Sequence, residues 1–272
     1  MVSPLIQQSD KFFWHGYVGF YEAHLPRTID GDIVEFGVFK GNSIRWLLER
    51  YPTARHIHGV DILPYQESWP IDERVSYRQV DQDKDDQVRE FLQSIAPPDL
   101  IIEDGSHVPA HQSRCLKLGM TALRAGGFYV LEDIQTSLPA HPLYANEFSA
   151  PKQLARGLRD GMSLSRIGGQ IQGRKATSLS LLLAFEQVRR RGNDRLAANE
   201  LAMLTGGGHF SEEEIVRLDT QIDRVAIYKR ATLPSACYAC GSTIFDYHNY
   251  RCTCGVGVLD EADSMTIVIQ KR

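Results

Sequence analysis

The sequence lacks an excess of positive charge, since 34 Asp and Glu residues outnumber 30 Lys and Arg residues and the formal net charge is -4. Proteins that bind nucleic acid carry basic clusters that neutralise phosphates, so nucleic acid is not an expected partner. The basic run at residues 189–191 precedes Gly192. It is typical of a helix C-terminus, where cations oppose the helix dipole and glycine lets the chain turn.

Long apolar runs are also absent. No stretch is long enough to cross a bilayer, and residues 1–17 have neither the basic region nor the apolar region of a secretory signal peptide. We therefore expect no membrane partner and a cytoplasmic, reducing location. Cysteine is scarce as well: of the 5 present, Cys115 stands alone in a predicted helix, where we expect a small buried hydrophobe.

The sequence does contain a regular alternation of predicted strands and helices. Strands are predicted over residues 32–38, 56–62, 75–81, 99–104 and 128–134, and helices over residues 42–51, 85–95 and 108–124. This alternation predicts βαβ units and an α/β fold with a mostly parallel sheet. Right-handed crossovers then place the carboxyl ends of the strands along one edge, where ligands bind.

Other segments flank this region. We predict an N-terminal helical segment, a main domain, and a cysteine-rich element with a final strand, over residues 1–30, 31–230 and 231–272. Residues 151–205 are predicted to be helical around the glycine-rich stretch RIGGQIQGRK. That stretch is either a mobile lid or, as we favour, a flexible loop. Ser211 and Glu214 have capping-box spacing, which starts a helix before a strand at residues 224–230.

The stretch EFGVFKGNS follows the first strand and contains Gly37 and Gly41. Glycine lets the chain turn sharply and lets a ligand approach the backbone, and the next helix offers free N–H groups. Dinucleotide enzymes prefer G-x-G-x-x-G, whereas this spacing is looser and Glu35 precedes the first glycine. An acid there suits a cationic ligand such as S-adenosylmethionine, and Asp61, ending the second strand, can hold ribose hydroxyls. Taken alone, the glycines also fit an ordinary strand–helix turn.

Carboxylates end two further strands. IIEDGSH ends the fourth strand with Asp104 and places His107 at the start of a helix, and FYVLED ends the fifth with Glu132 and Asp133. These strands are neighbours in a doubly wound sheet, so the three carboxylates converge and need a compensating cation. Oxygen ligands select Mg²⁺, with Mn²⁺ or Ca²⁺ as alternatives, and a histidine can accept a proton near neutral pH. Solvated strand-end acids beside a helix cap are the alternative interpretation.

Together these motifs resemble the class I S-adenosylmethionine-dependent methyltransferases, in particular the metal-dependent sugar O-methyltransferases of antibiotic biosynthesis. A related set comprises rhamnosyl O-methyltransferases and cephalosporin hydroxylase. The resemblance runs through DKFFWHGYVGFYEAHL, VEFGVFKGNSIRWLLERYPTARHIHGVDI, VDQDKDD, IEDGSHVPAHQ and GGFYVLEDIQTS, about the first half of the chain. It implies a Rossmann-like class I methyltransferase sheet with helices on both faces.

The resemblance also implies roles for matching residues. The implied cofactor-binding residues are Tyr17, Glu35, Gly37, Gly41, Ser43, Asp61, Asp81 and Gln82. Within this set, Glu35 and the two glycines would line the methionine end of S-adenosylmethionine. Asp61 would bind its ribose, and Asp81 and Gln82 would lie near adenine. Glu103 stands where the family often has aspartate.

The implied chemistry is transfer of a methyl group to a sugar hydroxyl of a glycosylated natural product or saccharide. Asp104, Glu132 and Asp133 would hold Mg²⁺, which stabilises the developing alkoxide, and His107 would be the general base. A homo-oligomer is expected. Three alternatives stay open: a methyltransferase for catechol-like phenols, a nucleotide-dependent oxidoreductase, and a non-catalytic interaction protein built around the cysteine-rich tail.

That tail carries the motifs C-x-x-C-G and C-x-C-G, formed by Cys237, Cys240, Cys252 and Cys254. Each motif can offer two thiolates, and four sulfurs at this spacing suit tetrahedral Zn²⁺. Disulfides and unliganded thiols are the alternatives, although no secretory signal supports disulfides. We predict a structural zinc in a zinc-ribbon-like element that lies outside the pattern carrying the resemblance.

Overall fold

The structure is a computed structural model that describes residue 7 and residues 9–165, 175–205, 207–259 and 264–272. The stretch RIGGQIQGRK, predicted to be a lid or a loop, lies outside the described residues except for Lys175.

The strands are β1 (Asp32–Phe36), β2 (His56–Asp61), β3 (Val75–Gln79), β4 (Leu100–Glu103), β5 (Phe128–Leu131), β6 (Ile222–Lys229), β7 (Phe245–Asp246), β8 (Arg251–Cys252) and β9 (Met265–Lys271). Seven of them form the central sheet in the order β3-β2-β1-β4-β5-β9-β6. The first five pair in parallel, whereas β9 runs antiparallel to both β5 and β6. The mostly parallel sheet predicted from the sequence is therefore confirmed.

The helices are α1 (Asp10–Phe13), α2 (Val18–His24), α3 (Asn42–Arg50), α4 (Asp85–Gln93), α5 (Pro109–Ala122), α6 (Pro142–Glu147), α7 (Ala150–Arg159), α8 (Ser178–Arg190), α9 (Ala198–Leu204) and α10 (Glu212–Gln221), with a 3₁₀ turn at Ile134–Ser137. The predicted capping box starts α10, where the Ser211 hydroxyl accepts from the Glu214 amide at 3.2 Å. The basic run ends α8, and Gly192 follows with a φ of 80°. None of the helices in the described ranges has both the length and the apolar character needed to span a bilayer.

Helices cover both faces of the sheet because successive strand residues point to opposite sides. In β4, Ile101 packs into a cluster with residues of α4, α5, α8 and α10. Its neighbours Leu100 and Ile102 pack into the opposite cluster, with residues of α2 and α3. Cys115 is buried in the first of these clusters, as predicted.

The C-terminal segment contributes to two separate parts of the molecule. Residues 231–259 contain only the short hairpin β7–β8, whereas β9 lies between β5 and β6 inside the central sheet. The predicted final strand is thus an internal strand of the main sheet, paired on both sides. The division of the chain at residues 30 and 230 stays a prediction.

Candidate active site

A cavity of about 470 Å³ opens at the carboxyl ends of β1, β2, β4 and β5. Its polar lining includes eight residues predicted from the sequence: Gly37, Asp61, Asp81, Gln82, Asp104, His107, Glu132 and Asp133. Four other predicted residues, Tyr17, Glu35, Gly41 and Ser43, lie behind this wall. The convergence expected of Asp104, Glu132 and Asp133 at the sheet edge is therefore observed.

The turn after β1 is shaped by Gly37 and tied to β2. Gly37 has a φ of +93°, and a Cβ atom there would lie 2.0 Å from the carbonyl oxygen of Asp104, so no larger residue fits. Asp61 Oδ2 accepts hydrogen bonds from the amides of Val38 at 2.8 Å and Phe39 at 3.1 Å. The acid predicted to hold a ribose therefore also fixes the shape of the glycine turn.

Glu35 and Ser43 form a buried pair beneath that turn. The Ser43 hydroxyl donates to Glu35 Oε1, and the Glu35 side chain is fully buried. Burial raises the pKa of Glu35 to about 7, while Lys11 and Ser43 partly oppose that rise. Gly41, with a φ of 74°, is the N-cap of α3 and packs against Pro70. These positions support the turn, and Glu35, Gly41 and Ser43 are not among the residues that line the cavity.

Lys11 is a site residue to which the sequence interpretation gave no role. Its ammonium donates to Asp104 Oδ2 and, at 2.7 Å, to Glu132 Oε1, and it is 3.8 Å from Glu35 Oε1. The side chain is only 3% exposed. Burial alone would lower the pKa of Lys11, but the three carboxylates raise it well above its usual value. A lysine thus supplies part of the positive charge that the sequence interpretation assigned entirely to a divalent ion.

Asp104, His107 and Asp133 form a close group whose ligand atoms all lie within 4.8 Å of one another. His107 Nε2 is 3.9 Å from Asp104 Oδ1 and 3.8 Å from Asp133 Oδ2. Burial lowers the pKa of His107, but Asp133, Asp104 and Glu103 outweigh it, so the net pKa is raised. Glu132 lies outside this group and pairs with Lys11, whereas the sequence predicted Glu132 as a third carboxylate ligand.

The group is held in an unusual backbone conformation. His107 has a φ of 55° and Asp133 a φ of 51°, both in the left-handed region that few residues other than glycine adopt. Such conformations cost about 1–3 kcal/mol each and cluster at functional sites. The strain turns both side chains toward the shared space at the sheet edge.

Two aromatic residues of the N-terminal segment hold Asp133 in place. The Tyr17 hydroxyl donates to Asp133 Oδ1 at 2.6 Å, and His15 Nδ1 is 3.5 Å from the same oxygen. Burial alone would raise the pKa of Asp133, but His15, His107 and Tyr17 lower it. Tyr17 is fully buried and stacks on His15, so it orients a carboxylate and is not part of the cavity wall, where a cofactor contact was predicted.

Gln82 and Asp81 follow β3 and face the cavity from the other side. The Gln82 amide donates to Glu103 Oε1 at 2.7 Å, and Gln82 Oε1 accepts from the Ser106 amide at 2.8 Å. Asp81 Oδ1 accepts from the Asp83 amide at 2.9 Å. The Gln82 side chain therefore links β4 to the loop that carries His107, besides lining the cavity.

Three apolar residues form the rim of the cavity near Asp61. Phe39, Ile62 and Leu63 are 68%, 61% and 47% exposed, and all three line the cavity. An exposed apolar rim beside polar groups suits a planar, partly apolar ligand. The sequence interpretation missed these residues, because single apolar residues in loops are common on any protein surface.

The four tail cysteines come together as predicted. Cys237 Sγ is 3.7 Å from Cys254 Sγ, Cys240 Sγ is 3.5 Å from Cys252 Sγ, and all four sulfurs lie within 4.8 Å of one another. These separations are well beyond the length of a disulfide bond, about 2.05 Å, so the four thiols are unbonded to one another in this structure. Four thiolates around zinc, with Zn–S bonds of about 2.3 Å, would place their sulfurs about 3.8 Å apart. The spacing thus fits a tetrahedral metal.

Comparison with known proteins agrees with this geometry. Residues 34–134 match the sequence model of a family described as "Methyltransferase domain". The chain is 35% identical over 138 residues to 8-demethyl-8-alpha-L-rhamnosyl tetracenomycin-C 2'-O-methyltransferase of Streptomyces olivaceus, covering 47% of this chain and 36% of that protein. It is also 35% identical over 141 residues to L-olivosyl-oleandolide 3-O-methyltransferase of Streptomyces antibioticus, covering 48% and 36%. The match thus spans about a third of the length of these curated relatives.

A solved structure shares the fold along nearly the whole chain. It is the MycE methyltransferase from the mycinamycin biosynthetic pathway in complex with Mg, SAH and mycinamycin VI. The TM-score is 0.56 at 20% identity, over 99% of this chain and 53% of that one. The central sheet therefore shares the fold of this methyltransferase. Residues 34–134 of this chain match a methyltransferase domain, and the predicted resemblance to sugar O-methyltransferases of antibiotic biosynthesis is confirmed.

Proposed function

We propose that this protein is a Mg²⁺-dependent O-methyltransferase that moves a methyl group from S-adenosylmethionine to a sugar hydroxyl of a glycosylated natural product or saccharide. The observation that carries the proposal is His107 Nε2, which lies within 4 Å of both Asp104 and Asp133 beside the Gly37 turn. The relatives' names, which specify rhamnosyl and olivosyl acceptors, support the sugar hydroxyl. A homo-oligomer in the cytoplasm remains part of the proposal.

The donor set at the sheet edge fits a hard cation. Asp104 and Asp133 present carboxylate oxygens close to each other, and such oxygens are the preferred ligands of Mg²⁺. Glu132 is the third proposed ligand, and in this structure its Oε1 accepts a hydrogen bond from Lys11. A bound Mg²⁺ would supply stabilisation of negative charge on an acceptor oxygen.

His107 is the proposed general base, acting at Nε2. Nε2 is the ring nitrogen that faces the carboxylates of Asp104 and Asp133, whereas Nδ1 is buried and has no hydrogen-bond partner among the described residues. The neighbouring carboxylates of Asp104 and Asp133 stabilise the imidazolium that forms. Removing the hydroxyl proton makes the acceptor oxygen nucleophilic.

The proposed cofactor contacts come from Gly37, Asp61, Asp81 and Gln82, which line the cavity. The Gly37 turn allows close backbone approach, and Asp61 keeps carboxylate lone pairs beyond those used by backbone amides. The exposed Phe39 side chain offers an apolar face at the rim. S-adenosylmethionine bound there would supply the methyl group. Glu35, Gly41, Ser43 and Tyr17 would act by supporting the turn and Asp133.

The tail is proposed to hold one structural Zn²⁺ through Cys237, Cys240, Cys252 and Cys254. The sulfur separations and the lack of S–S bonding support this assignment. Elemental analysis should find about one zinc per chain, and Cys240→Ser should remove it.

Calorimetry and a transfer assay test the main proposal. Calorimetry with S-adenosylhomocysteine and NAD should show binding of the first alone. Labelled S-adenosylmethionine should transfer its methyl group to a polyketide rhamnoside with Mg²⁺ and not with EDTA. Transfer to a catechol in preference to the rhamnoside would replace the sugar acceptor with a phenol, and binding of NAD alone would refute a methyltransferase.

A further inference from the structure

Residues 9–17 contact the cavity and the cysteine-rich tail at the same time. On the cavity side, Asp10 and His15 line the wall, and Lys11 donates to Asp104 and Glu132. Tyr17 donates to Asp133 from the same segment. The segment therefore supplies both a part of the wall and the groups that hold the carboxylates.

Trp14 connects this segment to the tail. It is 5% exposed and packs in one apolar cluster with Cys237, Phe245, Cys252 and Val258. Tyr238 meets the indole edge-on with ring centroids 4.7 Å apart. The Ser235 amide also donates a backbone hydrogen bond of 2.8 Å to the carbonyl oxygen of Phe13. Two of the four cysteines thus lie in the same cluster as an indole only one residue away from His15.

Neither the cysteine-rich tail nor the segment of residues 9–17 has much stability of its own. Residues 231–259 contain two strands of two residues each, and two of the five buried residues in their cluster are cysteines. Elements this small depend on a metal or a disulfide to stay folded. Helix α1 has four residues, too few for an independent helix. The folded tail therefore helps to position the segment around Trp14, while Lys11 and Tyr17 are also held by carboxylates at the sheet edge.

We propose that metal binding by the four cysteines is coupled to ligand binding in the cavity, with Trp14 as the positioning residue that joins the two sites. This inference rests on the proposed zinc site. A folded, metal-bound tail holds Trp14 and thereby keeps Asp10, Lys11 and His15 at the cavity. Loss of the metal releases the indole and loosens that wall.

The coupling is reciprocal by thermodynamic necessity. If zinc tightens the binding of a cavity ligand, that ligand must raise the affinity of the tail for zinc by the same factor. Coupling between two sites is commonly worth about 5–150-fold, and we expect about tenfold here because only one side of the cavity is affected. The affinity of the tail for zinc, measured in competition with a chelating dye, should accordingly rise about tenfold when S-adenosylhomocysteine is present.

The experiment compares four forms of the full chain: the zinc-loaded protein, the protein stripped of zinc and returned to excess Mg²⁺, Trp14→Ala, and Tyr247→Ala. Tyr247 is a matched control because it is an aromatic residue of the same tail that is 70% exposed. Three quantities are measured on each form: the hydrogen exchange of the amides of residues 9–17, the affinity for S-adenosylhomocysteine by calorimetry, and the zinc content.

Stripped protein and Trp14→Ala should both exchange faster at residues 9–17 and bind S-adenosylhomocysteine about tenfold more weakly. Trp14→Ala should do so while keeping its zinc, and Tyr247→Ala should match the wild type. Unchanged exchange in stripped protein overturns the coupling even if Trp14→Ala fails to fold. A chain that never holds zinc overturns the tail site and the coupling together. Faster exchange without any binding of S-adenosylhomocysteine supports the coupling but refutes the methyltransferase proposal.

Discussion

The buried hydroxyl of Tyr17 donates a 2.6 Å hydrogen bond to Oδ1 of Asp133, while His107 lies 3.8 Å from Oδ2 of the same carboxylate. One oxygen is thus held by the N-terminal segment and the other faces the base across the cavity. A carboxylate oriented by such supporting contacts is ready to bind an ion or a proton without further rearrangement. The N-terminal segment is therefore part of the site, together with the sheet edge.

Asp133→Asn should weaken Mg²⁺ binding at least about tenfold, because a hard-cation site loses one of its few charged oxygens. Asparagine tolerates the left-handed φ of 51° at this position, so the backbone should be retained. Calorimetric titration with Mg²⁺ measures the effect. Asp86→Asn, at an exposed position in α4, is the control. Equal Mg²⁺ affinity in the two variants would remove Asp133 from the proposed ligand set.

His107→Asn should lower the methyl-transfer rate about 10²–10⁴-fold, the usual contribution of a general base. Asparagine again suits the φ of 55°, so S-adenosylhomocysteine and Mg²⁺ should still bind. Transfer from labelled cofactor at matched pH gives the rate. The exposed His24, at the end of α2, provides the matched variant His24→Asn. Full activity of His107→Asn would contradict the assignment of the base.

Lys11→Met should destabilise the protein by about 3–5 kcal/mol without divalent ions, since removing one partner of a buried ion pair leaves uncompensated charge. Asp104 and Glu132 would then face each other without their shared ammonium. Added Mg²⁺ should restore part of the loss, and more than it adds to the wild type. Urea unfolding with and without Mg²⁺ measures both the loss of stability and its recovery. Lys152→Met, at an exposed position of α7, controls for the loss of a lysine. An unfolding midpoint equal to that of the wild type would contradict the role of Lys11.

Glu103 gives the stability a dependence on pH. Burial is the main cause that raises its pKa to about 7 from 4.5, and the hydrogen bond from Gln82 only partly opposes it. The folded protein therefore holds a proton that the unfolded chain releases. The resulting stabilisation is complete below about pH 4.5 and is lost as pH rises to about 7, amounting to about 3 kcal/mol at most.

Glu103→Gln should remove this dependence, because the amide has no proton to lose and can still accept from Gln82. Its unfolding free energy should exceed that of the wild type at pH 8, and the gap should close at pH 4.5. Urea unfolding across this range, without divalent ions, is the measurement. Glu90→Gln, exposed in α4, should follow the wild type. If the unfolding free energies of Glu103→Gln and the wild type changed in parallel with pH, the raised pKa of Glu103 would be contradicted.

Local patterns predicted the strands closely, because a buried strand of a parallel sheet shows itself as a short apolar run. β4 was predicted over residues 99–104 and spans Leu100–Glu103, with the acids at its carboxyl end where they were expected. Lys11 and His15 could not be placed in the same way. They reach the site from a segment far away in sequence, and a lysine between an aspartate and two phenylalanines has the pattern of an ordinary helix surface.

The order of the strands was predicted only in part for the same reason. MTIVIQK is apolar enough to predict a strand, but its position between β5 and β6 depends on pairing with residues more distant along the chain. Likewise, the pairing of Glu132 with Lys11 depends on the folded N-terminal segment. Periodicity identifies elements, whereas their neighbours are set by long-range packing.

The position of β9 has a consequence during synthesis on the ribosome. β5 and β6 leave the ribosome before Met265–Lys271 does, so β5 waits with one unpaired edge and β6 with both edges unpaired until the intervening strand arrives. Open strand edges are templates for pairing with other chains. A nascent chain paused before residue 265 should therefore bind chaperones and aggregate, and its release should begin once β9 inserts and completes the sheet.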